Sequence, residues 1–264
     1  MKVRTLGDGD STLAVVACLH GDELCGKRAV ERLLDADPTV SEPVSLVIAN
    51  EPAVDAGERY LDEDLNRAFP GDPEGDTRES RLAADLLAEL DGTPVLDLHA
   101  TVSQPEPFGL VHDLTATTAR LARATGVDHV VDVSYVAGGL ISHVPGVAVE
   151  CGLKGSPAAA ENAIEILKRV LACTGVTDDE CRESDPEVFE IVDVVEGGDW
   201  AFLGTNFERV DAGEVYARRD DERLRAEESF YPVLMSTDGY EDVLGYRARR
   251  RGRVSELVDE GGTN

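Results

Sequence analysis

The feature that most constrains this chain is a series of short, nearly continuous apolar runs with helical patterns between them. LAVVACL at 13–19, VSLVI at 44–48 and PVLDL at 94–98 lack the alternation of a half-solvated strand. Runs of this length read as strands buried on both faces, as in a parallel sheet. From Glu23 to about Leu34, apolar residues recur at Leu24, Ala29, Val30, Leu33 and Leu34, a helical spacing that Asp37-Pro38 ends. The same reading predicts helices over Ser80–Leu90, Thr115–Thr125 and Ala158–Leu171, and strands over Asp128–Val133 and Val147–Glu150. Strands alternating with helices define an α/β fold, a mostly parallel sheet covered on both faces. Ligand chemistry in such sheets gathers at the carboxyl ends of the strands, where His20, His99 and Glu150 are expected.

The polar stretch Thr174–Pro186 reads as a linker, and the pattern changes after it. FEIVDVV, WAFLGTNFERV, EVYARR and FYPVLMS are short strand-like pieces separated by Gly and Asp. Two domains are therefore expected, a main one over 1–186 and a small, mainly β one over 187–264.

With 25 Lys+Arg against 53 Asp+Glu, the formal charge is −28, which repels phosphates and argues against nucleic-acid binding. The acids are spread along the whole chain and lysine is scarce, the pattern of a surface adapted to a salty cytoplasm, where salt screens self-repulsion. No run of about 18 apolar residues offers a membrane span, and the N-terminus lacks an apolar signal core. A soluble cytoplasmic protein is expected. The five cysteines lack CxxC or CxxH spacing, so neither a disulfide framework nor a zinc knuckle is expected. Cys18, Cys25 and Cys151 read as small buried hydrophobes.

Three motifs carry chemistry. In His20-Gly21-Asp22-Glu23 the chain turns at Gly21 after a strand, letting an imidazole and a carboxylate converge. With His99 after the third run, they make a His₂Glu set suited to one catalytic zinc with an open position for water. Asp97 shares the strand face of His99 and can orient its ring. The second motif is RYLDEDLNRAFPG from Arg59. Its arginines and asparagine suit clamping a carboxylate or polarising a carbonyl, or else form a surface loop pairing with the abundant acids. The third is Glu150 in VAVECG, a carboxylate ending an apolar strand. It reads as a general base beside a metal, or as a salt-bridge or turn-capping residue. The cluster Arg247, Arg249, Arg250, Arg251 and Arg253 reads as pairing with nearby acids.

Taken in order, HGDE, NEP…RYLDEDLNRAFPG, DLHAT and VECG resemble the succinylglutamate desuccinylase/aspartoacylase family of zinc carboxypeptidase-like enzymes. The match runs over roughly residues 13–155, and YPVLMSTDGY is similar to that family's closing segment. The resemblance implies a zinc carboxypeptidase-like sheet and one zinc per chain, held by His20, Glu23 and His99. It makes Glu150 the residue that activates water and Arg59 the stabiliser of the oxyanion. Asn66, Arg67 and Tyr240 become substrate-binding residues, with Asp64 supporting.

The implied activity is a zinc-dependent amidohydrolase that deacylates an N-acyl amino acid or related small amide, with a homo-oligomer allowed. A metallocarboxypeptidase acting on short peptides, or a noncatalytic binding protein on the same fold, are the competing readings. One departure stands out. Family members acting on acylated acidic amino acids carry a further arginine shortly before the catalytic Glu, whereas YVAGGLISHVPGVAVE has Tyr135 and no arginine. A dianionic amino acid thereby loses a bidentate carboxylate partner.

Overall fold

The computed structural model describes residues 1–136, 138–239 and 242–258. The strands in chain order are β1 (Lys2–Leu6), β2 (Leu13–Ala17), β3 (Val44–Ile48), β4 (Val95–Thr101), β5 (Phe108–Val111), β6 (His129–Asp132) and β7 (Gly146–Leu153). After them come β8 (Glu187–Glu196), β9 (Ala201–Phe202), β10 (Val215–Arg219), β11 (Glu222–Arg225), β12 (Tyr231–Val233) and β13 (Val243–Arg253). The helices are α1 (Cys25–Ala36), α2 (Glu51–Ala56), α3 (Leu65–Ala68), α4 (Arg78–Leu90), α5 (Ala116–Thr125), α6 (Pro157–Thr174) and α7 (Val254–Leu257).

Ten strands form one sheet in the order β1-β3-β2-β4-β7-β5-β6-β8-β13-β12, and β11-β10-β9 form a second, small one. The centre is parallel, with β2 against β3 and β4, and β4 against β7. Antiparallel insertion of β5 beside β7 makes the sheet mixed around this parallel centre. The segment from 187 onward is mainly β, and β8, β12 and β13 continue the large sheet through the parallel β6–β8 pair.

Strand alternation sends neighbouring residues to opposite faces. Leu13, Val15 and Ala17 pack with Leu96 and Leu98 against α1 and α6, while Ala14 and Val16 pack with Leu82 and Leu86 of α4. Asp97 and His99 therefore lie on the α4 side, because Leu96, Leu98 and Ala100 occupy the other. Further along that face Phe108, Val131, Phe189 and Ile191 form a separate cluster with Phe207 and Val233 of the C-terminal segment.

Helix boundaries follow capping. Thr77, Thr115 and Ser156 each accept a backbone N–H at the starts of α4, α5 and α6. β4 runs on to Thr101, so His99 sits inside the strand and pairs in register with Glu150 instead of following the strand end. The cysteine spacing gave no sign of a disulfide, but a Cys173–Cys181 bond links the end of α6 to the segment after it, with the Cα atoms 4.5 Å apart. Cys18, Cys25 and Cys151 are free and buried, as expected. The basic strand β13 is paired with acids: Arg249 and Arg251 with Glu190, Arg250 and Arg253 with Glu187, and Arg247 with Asp193. No described helix is long and apolar enough to cross a membrane.

Candidate active site

The turn after β2 is shaped by packing against α2. A Cβ on Gly21 would lie 2.3 Å from the backbone carbon of Ala53, so only glycine allows this approach. Gly21 N donates to Arg59 O at 3.0 Å, which ties the HGDE turn to the start of the arginine-bearing loop. That loop is capped by Asp64, whose side chain accepts from Asn66 N at the start of α3.

These constraints bring together residues far apart in sequence. His20, Glu23 and His99 are all buried and offer ligand atoms lying within 4.8 Å of one another. Glu23 Oε1 lies 2.9 Å from His20 Nδ1, and Glu23 Oε2 lies 3.0 Å from His99 Nδ1. Glu23 also accepts from Ala100 N at 3.0 Å and from Arg59 Nη1 at 2.9 Å. The far sides of both rings face carboxylates, His99 Nε2 at 2.8 Å from Asp97 Oδ2 and His20 Nε2 at 3.1 Å from Asp64 Oδ1. Arg59 is held by Asp64 Oδ2 through Nε and Nη2, at 3.3 and 3.2 Å, with Nη2 also 2.8 Å from His20 Nε2.

Charge distribution follows from these contacts. Burial works against ionised Glu23, but the His20 and His99 rings outweigh it and hold the carboxyl well below the usual range. Burial lowers the basicity of both imidazoles, and the facing carboxylates more than reverse it, most strongly at His99 beside Asp97. Asp64 is held low by His20 and Arg59 against its own desolvation.

Glu150 is the reverse case. Burial pushes its carboxyl up to about 7, its two histidine neighbours only partly offsetting that shift. Its Oε2 is enclosed without a hydrogen-bond partner, and so is His20 Nδ1, although a carboxylate lies beside that nitrogen. Two imidazole nitrogens and a carboxylate on one point, their outer nitrogens fixed by acids, are a donor set that fits a divalent metal of zinc's type.

The cluster opens into a cavity of about 310 Å³ that includes Arg59, Asn66, Arg67, Glu150, Lys154 and Tyr246 in its wall. Asn66 lends its Oδ1 to Leu140 N at 2.9 Å, fastening the turn that begins at Gly139. Gly139 has φ +93°, and a Cβ there would sit 3.2 Å from that same Oδ1. Arg67 donates from Nη1 to Asn66 O at 2.9 Å. Tyr240 lies outside the described residues. His143, at 6.2 Å from Phe69, does not line the cavity, and His129 stacks on Phe207 at 4.4 Å.

The sequence reading assigned no role to Asn50, Glu79, Lys154 or Tyr246. Glu79 carried no usable signal, because an acid in a helix's first turn ordinarily marks a solvated end. Here it is fully buried.

An α/β sheet presenting a His–Glu–His cluster on one face, next to an enclosed carboxylate, is an arrangement compatible with a bound metal ion. The chain belongs to the succinylglutamate desuccinylase/aspartoacylase family, whose catalytic-domain description matches residues 10–149, more than half of its length. A succinylglutamate desuccinylase from Burkholderia lata is 37% identical over 84 residues, which is 30% of this chain and 24% of that protein. The matched stretch thus spans about a quarter of that relative.

Among solved structures, the product-bound ectoine utilization protein EutE (DoeB) from Ruegeria pomeroyi superposes with a TM-score of 0.73 at 21% identity, covering 96% of this chain and 88% of its own. A succinylglutamate desuccinylase/aspartoacylase from Rhodobacter sphaeroides gives 0.73 at 19% identity, covering 95% and 88%. Murine aminoacylase 3 gives 0.72 at 16%, covering 94% and 98%. At these identities the likeness concerns the fold.

Proposed function

We propose that this chain is a zinc-dependent amidohydrolase that removes the acyl group from an N-acyl amino acid or a related small amide. The observation that carries the reading is the convergence of His20, Glu23 and His99 beside the unpartnered Oε2 of Glu150. His20 Nδ1, Glu23 and His99 Nδ1 would hold the zinc, with Asp97 and Asp64 fixing the ring orientations. Zinc bound there supplies a Lewis acid for the amide carbonyl and lowers the pKa of water.

Each remaining step belongs to the chain's own side chains. Glu150, poised by burial near neutrality, takes the proton of the attacking water and delivers it to the departing amine. Arg59, held by Glu23 and Asp64, offers positive charge to the carbonyl oxygen as negative charge develops there. His20 Nε2 faces both Arg59 Nη2 and Asp64 Oδ1. With Nδ1 given to a metal, Nε2 carries the hydrogen and donates to Asp64, so Arg59 Nη2 turns to another acceptor, and the carbonyl oxygen is one. Asn66 and Arg67, which also line the cavity, bind the substrate carboxylate. A cavity of about 310 Å³ suits a small molecule and favours this reading over a peptidase with an extended groove.

The test is amine release from N-acyl amino acids by the zinc-loaded protein in molar KCl, with Glu150→Ala alongside. Release that the substitution abolishes supports the assignment. Equal turnover by wild type and Glu150→Ala would sink the mechanism.

A further inference from the structure

The cavity changes character across the sheet. On the face that carries Asp97 and His99, Glu150 pairs with His99 on one side and with Phe108 on the other, and Ala148 pairs with Leu110. Continuing outward, Leu110 pairs with Val131, and Val131 with Phe189. The strand face thus passes from His99 at β4 and Glu150 at β7 to hydrocarbon at β5, β6 and β8 within a few strand spacings. Leu110, Val133, Val136, Ile191, Leu234 and Tyr246 line the cavity and belong to one apolar cluster.

Cations in the described lining are few. Arg59 is committed to Glu23 and Asp64. Lys154, at the exposed edge, is paired with Asp22 at 2.7 Å. Arg67 forms no ion pair among the described residues, its Nη1 donating only to a backbone carbonyl. One cation is therefore available to one carboxylate. Arg67 and Tyr246 line the same cavity. A substituent on the carbon bearing the carboxylate would then enter hydrocarbon, where a second carboxylate would be desolvated without a partner.

We infer that the substrates are N-acyl amino acids with one carboxylate and an apolar side chain, held by Arg67 and by the Leu110–Val133–Ile191–Tyr246 wall, and not acylated dicarboxylic amino acids. This rests on the deacylase reading above and specifies its substrate.

Two measurements separate the inference from that reading. The first is kcat/KM of the zinc-loaded full chain for N-acetyl-leucine, N-acetyl-phenylalanine, N-acetyl-aspartate and N-succinyl-glutamate. The second is the calorimetric Kd of the same four compounds on zinc-loaded Glu150→Gln, which reports selection by the cavity without turnover. The leucine and phenylalanine compounds are expected to exceed both diacids by about tenfold or more in each measurement. If nothing is hydrolysed while the apolar compounds bind tighter, the cavity's preference for one carboxylate and an apolar side chain holds and the deacylase reading fails. If the diacids are preferred or equal, or if none of the four binds, the inference is wrong.

Discussion

Glu79, at the first turn of α4, accepts a hydrogen bond from Asn50 Nδ2 at 3.1 Å across a fully buried junction. The same carboxylate accepts from Leu61 N at 2.8 Å and from Asp62 N at 3.1 Å. Asn50 in turn caps α2 through its Oδ1. One side chain thus joins α4, the cap of α2 and the loop between Arg59 and Asp64, so the guanidinium and the acid beside His20 are positioned from behind.

Glu79→Ala leaves the buried Asn50 Nδ2 and the Leu61 and Asp62 amides without this acceptor and is expected to cost roughly 2 kcal/mol of stability, with Glu79→Gln costing less. Burial raises this carboxyl, and the three donors outweigh it and hold the pKa below the ordinary value. The folded state therefore binds fewer protons than the unfolded one as the group titrates. Its contribution is complete above the unfolded pKa and is lost as pH falls through the lower folded value. Chemical denaturation of wild type and Glu79→Gln should show a difference that is constant at neutral pH and shrinks below about pH 4.

Glu150 has the opposite linkage. Its folded pKa of about 7 lies above the usual carboxylate value, so the metal-free folded state holds an extra proton between the two and loses stability as pH rises through that window. Glu150→Gln should therefore raise the melting temperature of the metal-free protein at pH 8 and have less effect near pH 4. On activity, removing the proton carrier is expected to lower kcat by about 10²–10⁴-fold. Thermal melts at two pH values and steady-state rates check both.

Asp97 fixes His99 through Nε2, and its other oxygen is enclosed without a partner. Asp97→Ala is expected to weaken zinc binding by about 10–100-fold while the fold persists. Competition with a chelator of known affinity measures it, and dialysis against the same chelator should abolish wild-type turnover.

The net charge of −28 spread along the chain predicts a marked response to salt. Self-repulsion is screened as the Debye length contracts to about 3 Å near 1 M salt. The melting temperature should rise from 0.1 to 2 M KCl. A flat profile would mean that ion pairs such as those along β13 already neutralise the surface acids.

Much of the site was legible because its signals are local. HGDE, the DLNR block and VECG each combine a turn or strand terminus with chemistry-bearing residues, and strand alternation by itself puts Asp97 on the face of His99. The central strands β2, β3, β4 and β7 announced themselves as apolar runs for the same reason. β1 and β5 went unread. β1 is an edge strand with exposed residues, and β5 is only four residues long, so neither carries enough periodicity to stand out.

What the sequence by itself determined is the order of the central strands and their longer helices and the residue types gathered at their ends, since both follow from periodicity and turn chemistry within about a dozen residues. What only the tertiary structure decided is which distant surfaces meet. The burial of Glu79, the antiparallel placement of β5 beside Glu150, and the apolar wall that Leu234 and Tyr246 contribute all depend on pairings between segments scores of residues apart. Depth of burial and strand neighbours are properties of packed surfaces, and no local pattern of residues encodes them.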